Sequence, residues 1–194
     1  MGLHNHLVVF ARLPRLGTGK RRLARDIGAA QAVRVQRLML ALTLRRLGRD
    51  PRWATHIAVT PDRSGPWPAL DILPQGSGDL GRRMASIARR LPPGPVIIVG
   101  CDIPDITAAH IAKAFRALGR HDAVFGPATD GGYWLVGLRR RPCFTDPFGK
   151  VRWSTPHALG DTLANLAGRS VATIETLSDV DDGADLARRR TPIL

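Results

Sequence analysis

Pro92-Pro93-Gly94-Pro95-Val96-Ile97-Ile98-Val99-Gly100-Cys101-Asp102 carries the clearest strand signal in the chain. Four consecutive β-branched residues behind a proline-rich break make a short, unbroken apolar run, the pattern of a buried strand. The run ends abruptly at Gly100 and Asp102. Working outward, Leu7 to Ala11 (LVVFA) repeats the pattern near the start, and Ile57 to Thr60 and Leu70 to Leu73 read as strands. Asp122 to Phe125, Tyr133 to Leu138 and Ser170 to Ile174 complete the set. Apolar residues at helical spacing predict a helix from about Leu23 to Leu47, stopped by Gly48. Asp79 and Thr107 are N-cap residues for helices reaching about Leu91 and Leu118. Pro156 to Ala167 and Ala184 to Arg190 read as further helices, and Pro61 to Pro68 as a loop. Strands alternating with helices imply an α/β fold with a mostly parallel central sheet and helices on both faces. With no repeat, linker or low-complexity segment, residues 1–194 are expected to form one domain.

Composition narrows the function classes. The 194 residues are 44% hydrophobic and 23% charged, which excludes a disordered or collagen-like chain. No apolar run approaches the ~20 residues of a membrane span. Met1 to Phe10 has no basic flank and reads as a first strand rather than a signal peptide. The cysteines, Cys101 and Cys143, make no disulfide framework, and a reducing cytoplasm is the expected location. The net charge is +13, yet only Lys20, Lys113 and Lys150 are lysines, and Glu175 is the only glutamate. So one-sided a choice of arginine and aspartate reads as codon bias in a GC-rich genome. The positive balance still favours anionic partners such as phosphates, nucleotides, nucleic acid or acidic membranes.

Ligands of open α/β sheets sit at the carboxyl ends of strands, and three loops there carry unusual residues. In the first, Phe10 to Leu23, Gly17 and Gly19 would let backbone approach a phosphate that Arg12, Lys20 and Arg22 could neutralise. The spacing is neither a P-loop nor a dinucleotide fingerprint, so a solvated basic loop is the competing reading. In the second, Asp102 leaves the most apolar strand where a carboxylate can hold Mg²⁺ or Mn²⁺ on a diphosphate. Asp105 reads better as a helix cap, and Cys101 as a small buried filler. In the third, Pro127 and Tyr133-Trp134 flank Asp130-Gly131-Gly132, giving either a plain turn or an aromatic-walled cleft with Asp130 as a base. Asp179-Val180-Asp181-Asp182 could supply a second metal ligand, cap the last helix, or both. No histidine pair has zinc-site spacing and no nucleophile elbow is present.

These residues together resemble a bacterial GT-A-like transferase family. It was long labelled a domain of unknown function and is also called arsenosugar-biosynthesis-associated glycosyltransferase. The resemblance runs through Phe10-Ala11-Arg12, Pro14, Gly17, Lys20 and Arg22-Leu23, then Gln75, Gly78-Asp79-Leu80-Gly81, Arg83-Met84, Gly100, Asp102 and Pro104. It is most specific at Gly126-Pro127-Ala128, Asp130-Gly131-Gly132-Tyr133, Leu135 and Gly137-Leu138, and closes with Trp153-Ser154-Thr155, Asp179-Val180-Asp181 and Asp185-Leu186. It implies a Rossmann-like nucleotide-diphospho-sugar transferase fold, related to molybdenum-cofactor and phospholactate nucleotidyltransferases. It further implies that Ala11, Arg12, Gly17, Lys20 and Arg22 hold nucleotide phosphates, and that Asp102 binds the metal with Asp181 beside it. Arg21 and Asp182 stand where the family usually has threonine, and Asp102 lacks an Asp-x-Asp partner.

The expectation is a Mg²⁺- or Mn²⁺-dependent transferase that moves a glycosyl group from a nucleotide sugar to a small-molecule acceptor. Asp130 would act as the catalytic residue, activating an acceptor hydroxyl or orienting the sugar, and Gly131, Gly132, Tyr133 and Trp134 would shape the acceptor pocket. The turn ending in Gly78-Asp79 would meet the base or ribose. The alternative is a nucleotidyltransferase that joins an NTP to a phosphorylated small molecule and releases pyrophosphate. A non-catalytic nucleic-acid module is the reading from another class. It is disfavoured because the aromatics gather beside Asp130 rather than among the arginines.

Overall fold

The computed structural model describes residues 4–61 and 70–189. Strands β1 (His6–Arg12), β2 (Ala54–Thr60), β3 (Asp71–Pro74), β4 (Val96–Gly100), β5 (Ala123–Pro127), β6 (Tyr133–Leu138) and β7 (Val171–Thr173) form a seven-stranded sheet in the order β3-β2-β1-β4-β6-β5-β7. Neighbours pair in parallel except around β6, which runs antiparallel to both β4 and β5. The hairpin through Thr129–Gly132 is too short for a crossover helix, so β6 must reverse. The sheet is therefore mixed at one position and parallel elsewhere.

Strand alternation divides the apolar residues between two cores. Leu7, Val9, Ile97, Val99 and Val124 face α2 (Ala29–Leu47) and α4 (Ala108–Leu118). Val8, Ile98, Phe125 and Val136 face α3 (Leu80–Arg90) and the residues around α5 (Ala158–Ala164). Helices thus cover both faces, which is why the central strands read as continuous apolar runs.

The expected helix from Leu23 to Leu47 is two helices. Gly28, at φ +84°, ends α1 (Arg21–Ile27) and starts α2. That backbone conformation breaks the hydrogen-bond ladder and suits glycine. The last helix, α6, spans Gly183–Ala187 and is capped reciprocally by Asp182 and Asp185. Thr107 and His110 form the cap of α4, while Asp105 pairs with Arg189 at 2.7 Å instead of capping. Most of the expected Pro61–Pro68 loop lies outside the described residues.

The Arg139-Arg140-Arg141 run is not simply solvated surface. The Arg140 guanidinium donates to the carbonyls of Gly94 (2.6 Å), Ala88 (2.5 Å), Leu91 (3.1 Å) and Pro92 (2.5 Å). Two of these acceptors lie at the end of α3, whose last carbonyls have no helical partners.

His6 and His56 lie side by side on β1 and β2, His6 Nδ1 to His56 Nε2 at 3.2 Å, and His56 Nδ1 lies 2.8 Å from Asp71. Burial, reinforced by His56, lowers the His6 pKa from 6.5 to about 4. Folding therefore favours neutral His6. Its contribution is intact above pH 6.5, falls between pH 6.5 and pH 4, and is lost below pH 4. At about 1.4 kcal/mol per pKa unit the loss is roughly 3 kcal/mol. Urea titrations from pH 7 to pH 4 should show the wild type losing more stability than His6→Gln; parallel curves would refute this assignment.

Candidate active site

A cavity of about 560 Å³ opens at the carboxyl ends of β1, β2 and β4. The turn after β1 contributes Arg12, Gly19 and Lys20, and α1 contributes Arg21 and Arg22. Lys20 adopts a left-handed backbone (φ 37°, ψ 49°) that ends the turn immediately before α1. Its side chain returns under the loop, only 13% exposed, to Asp102 (2.9 Å) and Asp181 (2.5 Å). Arg22 closes on the other oxygen of Asp181 at 3.0 Å from the exposed rim. Burial alone would lower the Lys20 pKa; Asp102 and Asp181 outweigh it and hold the ammonium well above its ordinary value.

The C-terminal acids reach this point because Val180 is anchored. It is buried among Leu23, Val35 and Met39, and its N–H donates to the Asp102 carbonyl at 3.1 Å. Asp179 and Asp181 flank it, so the anchor presents both carboxylates toward Asp102. Ligand atoms of Asp102, Asp179 and Asp181 all lie within 4.8 Å of one another. Burial, with repulsion from Asp181, raises the Asp179 carboxyl pKa to about 6. Three clustered oxygen donors fit a hard divalent cation, which prefers carboxylate oxygen. The Lys20 ammonium, seated on two of them, shows that the cluster accepts a cation.

The loop that carries Asp102 is braced from outside. Arg46 of α2 donates to the carbonyls of Pro104 and Ile106, and Arg189 grips Asp105 with both terminal nitrogens. On the opposite wall, buried Gln75 donates to the carbonyls of Ala11 (3.1 Å) and Ala58 (2.9 Å) and accepts from Arg83 at 2.8 Å. Arg83 is thereby fixed along the cavity.

Of the expected residues, Ala11, Arg12, Lys20, Arg22, Asp102, Tyr133, Trp134 and Asp181 line this cavity. Gly17, Gly78, Asp79, Asp130, Gly131 and Gly132 are not among its lining residues. Asp79 instead caps α3 by accepting from the Arg82 N–H at 2.7 Å. Asp130 folds back to accept from the Gly132 N–H at 2.9 Å, the hydrogen bond of a hairpin turn. That turn is nevertheless pinned against the C-terminal acids, through Thr129 to Ser178 at 3.3 Å, and Asp130 adds repulsion at Asp179. Gly131 lies against Pro156, where a Cβ would come within 2.3 Å of the Pro156 carbonyl oxygen. Trp134 is 2% exposed and donates to the Glu175 carbonyl at 3.0 Å, so it forms a wall rather than a polar contact. Burial pushes the Tyr133 phenol well above its usual pKa, and pushes the Cys101 thiol up to about 12. Neither is suited to act as a base or nucleophile near neutral pH.

Asp179 joins Asp102 and Asp181 in the acid cluster without being among the cavity's lining residues, and Arg83 lines the cavity. The Asp179-x-Asp181 spacing was the available signal for the first. The second needs Gln75, whose role appears only when three strand ends converge.

Residues 43–155 match DUF2064, described as an uncharacterized protein conserved in bacteria. The chain belongs to this family. No curated protein matches the sequence. Among solved structures, this DUF2064 chain is similar to a protein of Desulfovibrio desulfuricans G20 provisionally named a nucleotide-diphospho-sugar transferase. The two share 28% identity over 93% of this chain and 84% of that one, with a TM-score of 0.85. It also shares its fold with 4-diphosphocytidyl-2C-methyl-D-erythritol synthase from Anaerococcus prevotii DSM 20548, at 12% identity, 94% and 92% coverage and a TM-score of 0.59. A manganese complex of Rv0371c from Mycobacterium tuberculosis H37Rv matches at 16% identity, 97% and 98% coverage and a TM-score of 0.54. The fold is that of the nucleotide-diphospho-sugar transferases. Among the described residues, no helix is long and apolar enough to cross a membrane.

Proposed function

We propose that this DUF2064 chain is a transferase that acts on a nucleoside di- or triphosphate with the help of Mg²⁺ or Mn²⁺. One observation carries the reading: Asp102 and Asp181 share a single cavity with Arg12, Lys20, Arg21, Arg22 and Arg83. Clustered carboxylates facing clustered cations are what a metal-bound polyphosphate needs. Asp102 and Asp181, with Asp179 beside them, would hold the metal, which when bound supplies Lewis-acid stabilisation of the leaving phosphate. Arg12 and Lys20 from the β1–α1 turn and Arg22 from the first turn of α1 neutralise phosphate oxygens. Arg83, oriented by Gln75, offers a further donor along the same cavity. Trp134 and the ring of Tyr133 form the apolar wall on which a sugar or base would rest. Asp130, held at the hairpin beside Asp179, is the proposed acceptor-activating base. Releasing it for that work requires its bond to the Gly132 N–H to open.

Glycosyl transfer from a nucleotide sugar to a small acceptor is the leading reaction, in keeping with the similarity to the Desulfovibrio protein. Nucleotidyl transfer is the second reading, favoured by the single acid that follows β4 in place of an Asp-x-Asp pair and by the row of cations beside it. A nucleic-acid module fits less well, because many arginines are engaged within the molecule. Arg89 pairs with Asp146, Arg152 with Asp161 and Arg189 with Asp105.

The released product separates the two reactions. Purified protein with Mg²⁺ or Mn²⁺ is offered a panel of nucleotide sugars and NTPs, together with sugars and sugar phosphates. Release of nucleoside diphosphate supports glycosyl transfer, whereas pyrophosphate formation from an NTP assigns nucleotidyl transfer. Absence of both, together with no nucleotide binding, would overturn the transferase reading.

A further inference from the structure

Lys20 is one of three lysines in a chain whose other basic side chains, histidines aside, are all arginine, and it is the one in the cavity. Its ammonium does not face open solvent where phosphate would arrive. It lies on Asp102 at 2.9 Å and Asp181 at 2.5 Å, within the same carboxylate group that fits a divalent cation. Arg22 touches the same Asp181, but from the rim and with 69% of its side chain exposed. An ammonium and a divalent ion compete for the same carboxylate lone pairs and repel each other, so the two occupants exclude one another. Lysine suits such an exchange because it is a compact point charge on a flexible four-carbon stem.

We propose that Lys20 is a built-in placeholder cation. Its ammonium holds the Asp102–Asp181 seat until a divalent ion displaces it, and the released side chain then becomes a phosphate ligand. The inference rests on the metal-assisted reading above and adds an order to it. Without metal, the carboxylates are neutralised and Lys20 is withheld from the phosphates. With metal, one displacement supplies both the ion and the free ammonium, so metal and nucleotide strengthen each other's binding by the same factor.

Two measurements on the full chain test the exchange. The first follows the side-chain ammonium groups of ¹⁵N-lysine-labelled wild type by NMR during Mg²⁺ titration. With three lysines, the spectrum is readily assigned. The Lys20 resonance should shift, while those of Lys113, paired with Glu175, and Lys150 stay in place. The second measures Mn²⁺ affinity without nucleotide, from the electron paramagnetic resonance signal of the free ion. Lys20→Gln should bind Mn²⁺ about tenfold more tightly than wild type, a typical coupling magnitude. Arg22→Gln removes an equal charge from the same cluster and should change affinity much less. If wild type binds the ion while the Lys20 resonance does not move, or if Lys20→Gln gains no more than Arg22→Gln, the placeholder is overturned and the metal site stands. If neither wild type nor Lys20→Gln binds Mn²⁺, the metal-assisted reading falls and takes the placeholder with it.

Discussion

Asp102→Asn should abolish metal-dependent stabilisation of the protein by nucleotide. Asn keeps the size of the side chain and loses the charge, so the loop held by Arg46 and by Val180 should keep its place. What it loses is a charged oxygen donor, the one carboxylate of the three supplied by the loop after β4. A ligand present at 100 times its Kd stabilises a folded chain by about 2.7 kcal/mol. For a domain of this size each kcal/mol raises Tm by roughly 2–4 °C, so wild type should gain about 5–10 °C with nucleotide and Mn²⁺. Asp102→Asn should gain under about 2 °C with the same mixture. Equal metal-dependent shifts in both proteins would remove Asp102 from the site.

The second large effect lies far from the cavity. Arg140→Ala should lower stability by about 3 kcal/mol or more, because four backbone carbonyls lose a charged donor at once. At roughly 2–4 °C per kcal/mol, Tm should fall by about 6–12 °C. The carbonyls of Ala88 and Leu91 end α3, and those of Pro92 and Gly94 belong to the turn that leads into β4. The guanidinium therefore welds the helix end to the strand that delivers Asp102. Arg140→Lys should recover less than half of the loss, since one ammonium cannot span four acceptors that a planar fork reaches together. Arg139→Ala and Arg141→Ala serve as neighbours in the same run. A thermal melt in which all three alanine variants behave alike would refute the special role of Arg140.

The role of the arginine run is set by long-range contacts. Arg139-Arg140-Arg141 looks like solvated charge, and nothing in the local pattern distinguishes its middle member. Only the return of the chain beside the end of α3 makes Arg140 a structural donor. Asp130 shows the converse. Its neighbours Pro127, Tyr133 and Trp134 suggest a reactive carboxylate, and the fold adds a bond from the Gly132 N–H that must open before that carboxylate can act. A turn aspartate and a waiting base have the same sequence, because the local pattern does not record where the carboxylate oxygen lies.

The class of fold is legible in the residues alone, because burial on both faces forces central strands such as Val96–Gly100 to be apolar throughout. It also marked Asp102, Lys20 and Asp181 as residues of interest, since each stands at a strand end, a glycine-rich turn or an acidic cluster. That these three meet is a property of the folded chain. Lys20 and Asp181 are 161 residues apart in sequence and 2.5 Å apart in space. That approach depends on Val180 seating itself against α1 and α2, and on β1 and β4 lying side by side in the sheet. Local pattern records what each segment prefers, whereas the placement of distant segments is set by packing among residues that no local pattern connects.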